Sequence, residues 1–355
     1  MLAASSFRRS QEGKGGADMN KECIRAENIS VEFPVSGHGT GWGKKKILKA
    51  VTNVSFSIDA GTTMGLVGES GCGKTTVGRA LLRLYDIRPD GRIIFDGTDI
   101  SRFTDREMLP YRKRMQMIFQ DPYTSLDPRK TIGNIIAEPL IAMKLASPGE
   151  AEDKVREMIE RVGLKKDHIN RYPHEFSGGQ RQRIGIARAL VANPEFIVCD
   201  EPISALDVSI QAQVINILEE LQEKYGYTYL FISHDLSMVR HMSHKVGVMY
   251  LGHLIEYAEV NELYSNMLHP YTKSLVSAVP IADPVRNRQS KRIILQGDVP
   301  SPISPPSGCP FRTRCSECMK RCEEELPELK KINDSHYVAC HLMDGGLIRQ
   351  RPGAV

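Results

Sequence analysis

Residues 68 to 75 read Gly-Glu-Ser-Gly-Cys-Gly-Lys-Thr, a complete G-x-x-x-x-G-K-[ST] phosphate loop. This motif constrains the fold because it functions only between a buried strand and the start of a helix, where consecutive backbone N–H groups can face phosphate oxygens. Both flanks are present. Thr63 to Val67 is a short apolar run suited to a buried parallel strand, and Thr76 to Leu84 carries Val77, Ala80, Leu81 and Leu84 at helical spacing. The expected nucleotide-binding set is Gly68, Glu69, Ser70, Gly71, Cys72, Gly73, Lys74, Thr75 and Thr76, with Lys74 reaching the β- and γ-phosphates and Thr75 supplying a hydroxyl to Mg²⁺.

Downstream, the apolar run Phe196 to Cys199 leads into Asp200 and Glu201. Two carboxylates at a strand end have separable jobs: Asp200 can hold Mg²⁺ through its water shell, and Glu201 can orient or deprotonate an attacking water. An isolated Asp-Glu pair is ordinary surface charge, but behind a buried strand and after a phosphate loop it reads as chemistry. Gln120, after Met117-Ile118-Phe119, and His234, after Ile232-Ser233, also follow strands, where parallel α/β sheets bind ligands; they read as sensors of Mg²⁺ and the γ-phosphate. Ser177, Gly178, Gly179 and Gln180 precede a helix expected from Gln182 to Val191 and offer a second anion site at a helix N-terminus. Two phosphate-gripping loops exceed the needs of one ATP, so a head-to-tail dimer is expected, each nucleotide lying between the loop of one subunit and Ser177–Gln180 of the other.

Around these motifs the chain reads as α/β. Alternating segments within Cys23 to Gly61 predict antiparallel strands around a glycine-rich loop, Gly37 to Gly43, and residues 120 to 172 turn helical, with a capping box at Ser147 and Glu150. Residues 1 to 22 have no apolar period and are expected to be disordered, and Met19 is a candidate translation start. A proline-rich connector spans Pro280 to Pro310. The net charge of +4 over 355 residues calls for no nucleic-acid partner, and no apolar run reaches the roughly 20 residues that span a bilayer. Five of the eight cysteines crowd the last fifth of the chain, a distribution that in a reducing compartment argues for metal rather than disulfides. Cys199 reads as a small buried hydrophobe, and Cys72, beside a helix N-terminus, as a thiol of lowered pKa.

The ordered set of phosphate loop, Gln120, Ser177–Gln180, Asp200-Glu201, Ser204-Ala205-Leu206-Asp207 and His234 resembles the ATP-binding subunits of ABC transporters. The segments Phe119 to Arg129, Ser204 to Gln213, His269 to Thr272 and Cys309 to Cys315 resemble the oligopeptide/dipeptide permease branch, nearest its F-type ATPase subunit. The implied fold is a P-loop NTPase core of the ABC type, residues 23–257, with an antiparallel β subdomain and a helical subdomain at about 120–180, followed by a C-terminal extension, 258–355, that carries a small Cys-rich module. The resemblance assigns Glu201, His234, Gln120 and Lys74 to ATP hydrolysis, Asp207 to the nucleotide interface, Thr75, Gln120 and Asp200 to Mg²⁺, and Phe33 to stacking on adenine. It implies a homologous ATPase subunit, two transmembrane permease subunits and an extracytoplasmic substrate-binding protein, at the cytoplasmic face of the cell membrane. Peptides are the implied cargo, with nickel or another small solute as the alternative; a soluble ABC ATPase acting on DNA or ribosomes would carry a long coiled coil or a second cassette. Cys309, Cys315, Cys322 and Cys340 match positions that hold a [4Fe-4S] cluster in that branch; structural Zn²⁺, with Cys318 and His341 as further ligands, and metal-free packed thiols are the alternatives. Far from the phosphate loop in sequence, this module is expected to leave nucleotide binding undisturbed.

Overall fold

The computed structural model describes residues 21–35, 46–279 and 292–344. The loop Gly37–Gly43, Met19, all but the last two residues of the N-terminal extension and the start of the proline-rich connector lie outside them.

Two long strands, β1 (Glu22–Val35) and β2 (Lys46–Asp59), pair antiparallel, and their alternation of buried and exposed residues matches a sheet with one face on the core. β3 (Thr63–Val67) is buried throughout, as its unbroken apolar run requires, and feeds the phosphate loop and helix α1 (Lys74–Leu81). The short strands β4 (Arg92–Phe95) and β5 (Thr98–Asp99) complete a four-stranded antiparallel sheet in the order β2-β1-β4-β5. Helix α2 (Asp105–Arg112), capped by Thr104 and Glu107, leads to β6 (Met115–Ile118).

The helical subdomain consists of α3 (Ile132–Ala142), α4 (Pro148–Arg161) and α5 (Gly178–Leu190), with two short 3-10 turns between α4 and α5. At the start of α4 the Glu150 carboxylate accepts the Ser147 backbone N–H at 2.8 Å, with Pro148 at the first helical position. α5 begins four residues earlier than expected. Ser177 is its N-cap, and Gln180 returns the bond by accepting the Ser177 N–H at 3.0 Å, so the two glycines form the first turn instead of preceding it.

β7 (Phe196–Asp200), α6 (Val208–Tyr225), β8 (Thr228–Ile232), α7 (Leu236–Met242), β9 (Lys245–Tyr250) and β10 (His253–Glu259) follow. α6 stops at Gly226, whose φ of 71° terminates the helix in the left-handed region. After α8 (Val260–Ser265) and α9 (Pro270–Ser277), a cysteine-bearing segment ends in the hairpin β11 (Lys330–Asn333) and β12 (His336–Val338). The second sheet has eight strands in the order β11-β12-β10-β9-β3-β8-β7-β6. β6, β7, β8, β3 and β9 are mutually parallel, and β10, β12 and β11 extend that sheet antiparallel. Tyr257, the expected end of the ATPase unit, therefore lies inside β10, which pairs with β9 on one side and β12 on the other. Because β6, β7, β8 and β3 run in the same direction, the residues following each emerge at one edge of the sheet, where open α/β sheets bind ligands.

Candidate active site

The phosphate loop leaves β3 at Gly68 and enters α1 at Gly73. Gly73 has φ 105°, and a Cβ there would sit 2.3 Å from the Ala50 carbonyl oxygen of β2, so only glycine lets the loop lie against that strand. Lys74 is buried and its ammonium donates to the Gly68 and Glu69 carbonyls at 2.7 and 3.1 Å, which holds the cation inside the curl of the loop. The Thr75 hydroxyl donates to Asp200 Oδ1 at 2.7 Å, bringing together the two groups expected at Mg²⁺. Burial raises the Asp200 pKa above its ordinary range, opposed by the Thr75 hydroxyl and by the charges of Arg79 and Lys74, with Glu201 adding to the rise.

Glu201 lies one residue beyond β7, and its carboxylate is shared. Gln120 Nε2 donates to Glu201 Oε2 at 2.9 Å, and His234 Nδ1 lies 3.4 Å from the same oxygen. Three residues separated by up to 114 positions in sequence thus meet on one carboxylate because β6, β7 and β8 are adjacent and parallel. A cavity of about 310 Å³ opens beside them, lined by Phe33, Lys74, Thr75, Gln120 and Glu201. Ser70, Gly71, Gly73 and Thr76 also line it, as do Leu48, Lys49 and Ala50 of β2, with Gly252 and Pro302. A larger cleft, about 590 Å³, lies between β1, β2 and the C-terminal segment, lined by Asn28, Ser57, Tyr257, Cys309 and Tyr337, and contains no residue of the phosphate loop.

With this geometry in place, comparison with known proteins is decisive. Residues 51–204 match the family described as ABC transporter, and residues 255–322 match the oligopeptide/dipeptide transporter C-terminal region. The oligopeptide transport ATP-binding protein AppF of Bacillus subtilis is 52% identical over 328 residues, covering 91% of this chain and 98% of its own. The chain belongs to the ABC transporter ATPases. The oligopeptide transport ATP-binding protein OppF of Haemophilus influenzae is 50% identical, covering 90% of this chain and 97% of its own. Among solved structures, the ATP-binding cassette MJ0796, in a dimeric post-hydrolysis state bound to ADP and Pi, superposes with a TM-score of 0.59 at 26% identity, covering 67% of this chain and 98% of that one. This ABC ATPase hydrolyses ATP as a subunit of a membrane transporter, and no helix among its described residues is long and apolar enough to cross a membrane.

The second expected anion site stands apart from the first. Ser177 and Asp207 are exposed, and neither they nor Gly178, Gly179 and Gln180 line the cavity formed by the phosphate loop. One expectation about the cysteines is corrected. Burial pushes the Cys72 thiol above its ordinary range, and Lys74 offsets this only in part, so the helix N-terminus does not make Cys72 a reactive thiolate. Cys309, Cys315, Cys322 and Cys340 do gather in one segment, where the Cys309 N–H donates to the Cys322 carbonyl at 2.8 Å. Burial, with the neighbouring thiols adding, pushes Cys309 up to about 11 and Cys340 up to about 12. Among the described residues no three His, Cys, Asp or Glu side chains converge as a metal-ligand set. Of the further zinc-ligand candidates, Cys318 is exposed, and the two His341 ring nitrogens contact Asp344 at 2.8 Å and the Glu325 carbonyl at 3.0 Å.

The module is also not remote from the nucleotide site. Arg314 makes a two-pronged ion pair with Glu69 of the phosphate loop, at 2.7 and 3.1 Å, and the Glu69 backbone N–H donates to the Tyr271 hydroxyl at 2.9 Å. Sequence reading missed both residues. Nothing local to His269-Pro270-Tyr271-Thr272 or to the segment around Cys315 points to Glu69.

Proposed function

We propose that this chain is the ATP-hydrolysing subunit of an importer of di- and oligopeptides, seated on the cytoplasmic face of the cell membrane. The observation that carries the catalytic reading is the convergence of Gln120 and His234 on the Glu201 carboxylate beside the phosphate loop. Peptide cargo is supported by the C-terminal region match and by the names of the relatives AppF and OppF.

In this reading the backbone N–H groups of residues 68–76 bind the triphosphate, Lys74 neutralises its β- and γ-oxygens, and Phe33 faces the adenine. Thr75, Asp200 and Gln120 would hold Mg²⁺, which, when bound, offsets phosphate charge during transfer. Glu201 orients the attacking water and accepts its proton; Gln120 fixes the carboxylate, and His234 is positioned to contact the γ-phosphate. The Ser177–Gln180 turn, with Ser177 exposed, and Asp207 complete the site of a homologous ATPase subunit, whose own turn completes this one. Phe119, Tyr123 and Tyr172, exposed on or beside the helical subdomain, form the face offered to two transmembrane permeases, and an extracytoplasmic binding protein delivers the cargo.

The test is ATP turnover by the subunit reconstituted with its permeases and binding protein in vesicles. Peptide should stimulate hydrolysis and accumulate inside, both lost in Lys74→Ala. Turnover stimulated by Ni²⁺ but not by peptide would transfer the reading to a metal importer. The [4Fe-4S] assignment at Cys309, Cys315, Cys322 and Cys340 is a separate part of the proposal, supported by four thiols close enough to perturb one another, and no catalytic step depends on it. Anaerobically purified protein with about four iron and four sulfide per chain would carry it; one zinc, or no metal, would end it.

A further inference from the structure

The phosphate loop is braced from three directions by residues beyond the ATPase motifs. The Gly252 N–H donates to the Cys72 carbonyl at 2.9 Å, the Tyr271 hydroxyl accepts the Glu69 N–H, and Arg314 clamps the Glu69 carboxylate with both terminal guanidinium nitrogens. The Arg314 side chain is only 8% exposed. It is held by a wall of aromatic rings: Phe311 packs edge-on against Tyr250 and Tyr271 at 5.2 and 5.3 Å, and the guanidinium lies 5.9 Å from the Tyr250 ring. A fork so enclosed has lost its freedom before nucleotide arrives, and a two-pronged guanidinium–carboxylate pair fixes direction as well as distance.

The charge on Glu69 is the point of interest. A carboxylate in a loop whose task is to grip a triphosphate works against the electrostatics of that task. Desolvated and unpaired, it would repel the ligand; paired with Arg314, it becomes a neutral anchor. We infer that Arg314 is a positioning residue for ATP, by which the C-terminal segment sets the conformation of the phosphate loop and cancels the Glu69 charge beside the nucleotide. This rests on the reading of the cavity as an ATP site, and the same segment that carries the cysteines thereby governs nucleotide affinity.

The experiment measures binding of a fluorescent ATP analogue, and the KM and kcat of turnover, in wild type, Arg314→Ala, Arg314→Lys and the double variant Arg314→Ala/Glu69→Gln. Failure of the wild-type protein to bind the analogue would defeat the ATP-site reading itself. Given wild-type binding, Arg314→Ala should weaken affinity by about tenfold or more, equivalent to about 1.4 kcal/mol, and raise KM with a smaller change in kcat. Because the defect is an uncancelled charge, the double variant should bind ATP more tightly than Arg314→Ala alone, and Arg314→Lys should fall between Arg314→Ala and wild type. A packing role alone would make the double variant as weak as the single one or weaker, and that result overturns the inference, as does wild-type affinity in Arg314→Ala. Should Arg314→Ala not fold, Arg314→Lys with and without Glu69→Gln carries the same comparison: loss of the lysine variant's defect in the double supports the inference, and its persistence overturns it.

Discussion

Glu201 is aimed by a backbone that an L-residue adopts reluctantly. Its φ is 44°, in the left-handed region, held there by donation of its N–H to the Ile232 carbonyl at 3.0 Å. That turn at the end of β7 swings the carboxylate out of the strand direction and onto Gln120 and His234. Glu201→Gln keeps the size of the side chain and removes only its charge and proton affinity. It should leave ATP binding near normal and lower hydrolysis by about 10²–10⁴-fold, the range for loss of a positioned acid/base group. Single-turnover kinetics on the assembled transporter checks this; near-normal turnover would remove Glu201 from the chemistry. Each residue of this cluster was visible in the sequence as a candidate, since each follows a short apolar strand. Arg314 was not visible, because it and Glu69 lie 245 positions apart and an isolated arginine carries no mark of its partner.

Among the elements, the β11–β12 hairpin shows how the C-terminal segment is welded to the core. His336 of β12 and Glu256 of β10 are fully buried and meet at 2.8 Å, while Glu256 also accepts the backbone N–H groups of Leu268 and His269. Burial alone would lower the His336 pKa, but Glu256 and Glu262 outweigh it and hold the imidazole above its ordinary value of 6.5. A histidine with a raised folded-state pKa contributes stability that is fully present below 6.5 and fades as pH rises through the higher folded value. The hairpin should therefore be better protected at pH 6 than at pH 9, read by hydrogen exchange of the β12 amides, and His336→Gln, which can still donate to Glu256, should flatten that dependence. Equal protection of the wild-type hairpin at both values would dismiss the ion pair as its fastening. Strands β7 and β8 and the cap of α4 were legible because their signals are local, whereas the pairing of β10 with β12 was not. The four residues of β11, Lys330-Lys331-Ile332-Asn333, and the three of β12 are too few to carry a period, and only the buried partner across the sheet makes them strands.

At the scale of the whole molecule, the exposed Ser177 turn is the part of the cassette left unused by its own nucleotide cavity. Head-to-tail pairing predicts an effect in trans: Ser177→Arg, mixed with a wild-type partner subunit, should impair the site containing the partner's phosphate loop and spare the one containing Lys74. Nucleotide photolabelling of each subunit separately distinguishes them, and damage at the Lys74 site instead would rule out this arrangement. The strand order further means that the nucleotide machinery and the cysteine segment share one continuous sheet, with β10 as the strand common to both. A chimaera joined after Tyr257, where the sequence invites a seam, would cut that strand and separate Glu69 from its counter-charge. Exchange of C-terminal regions between paralogous subunits should therefore succeed only when the acidic residue and its arginine travel together, which makes position 69 and position 314 a single heritable unit despite the length of chain between them.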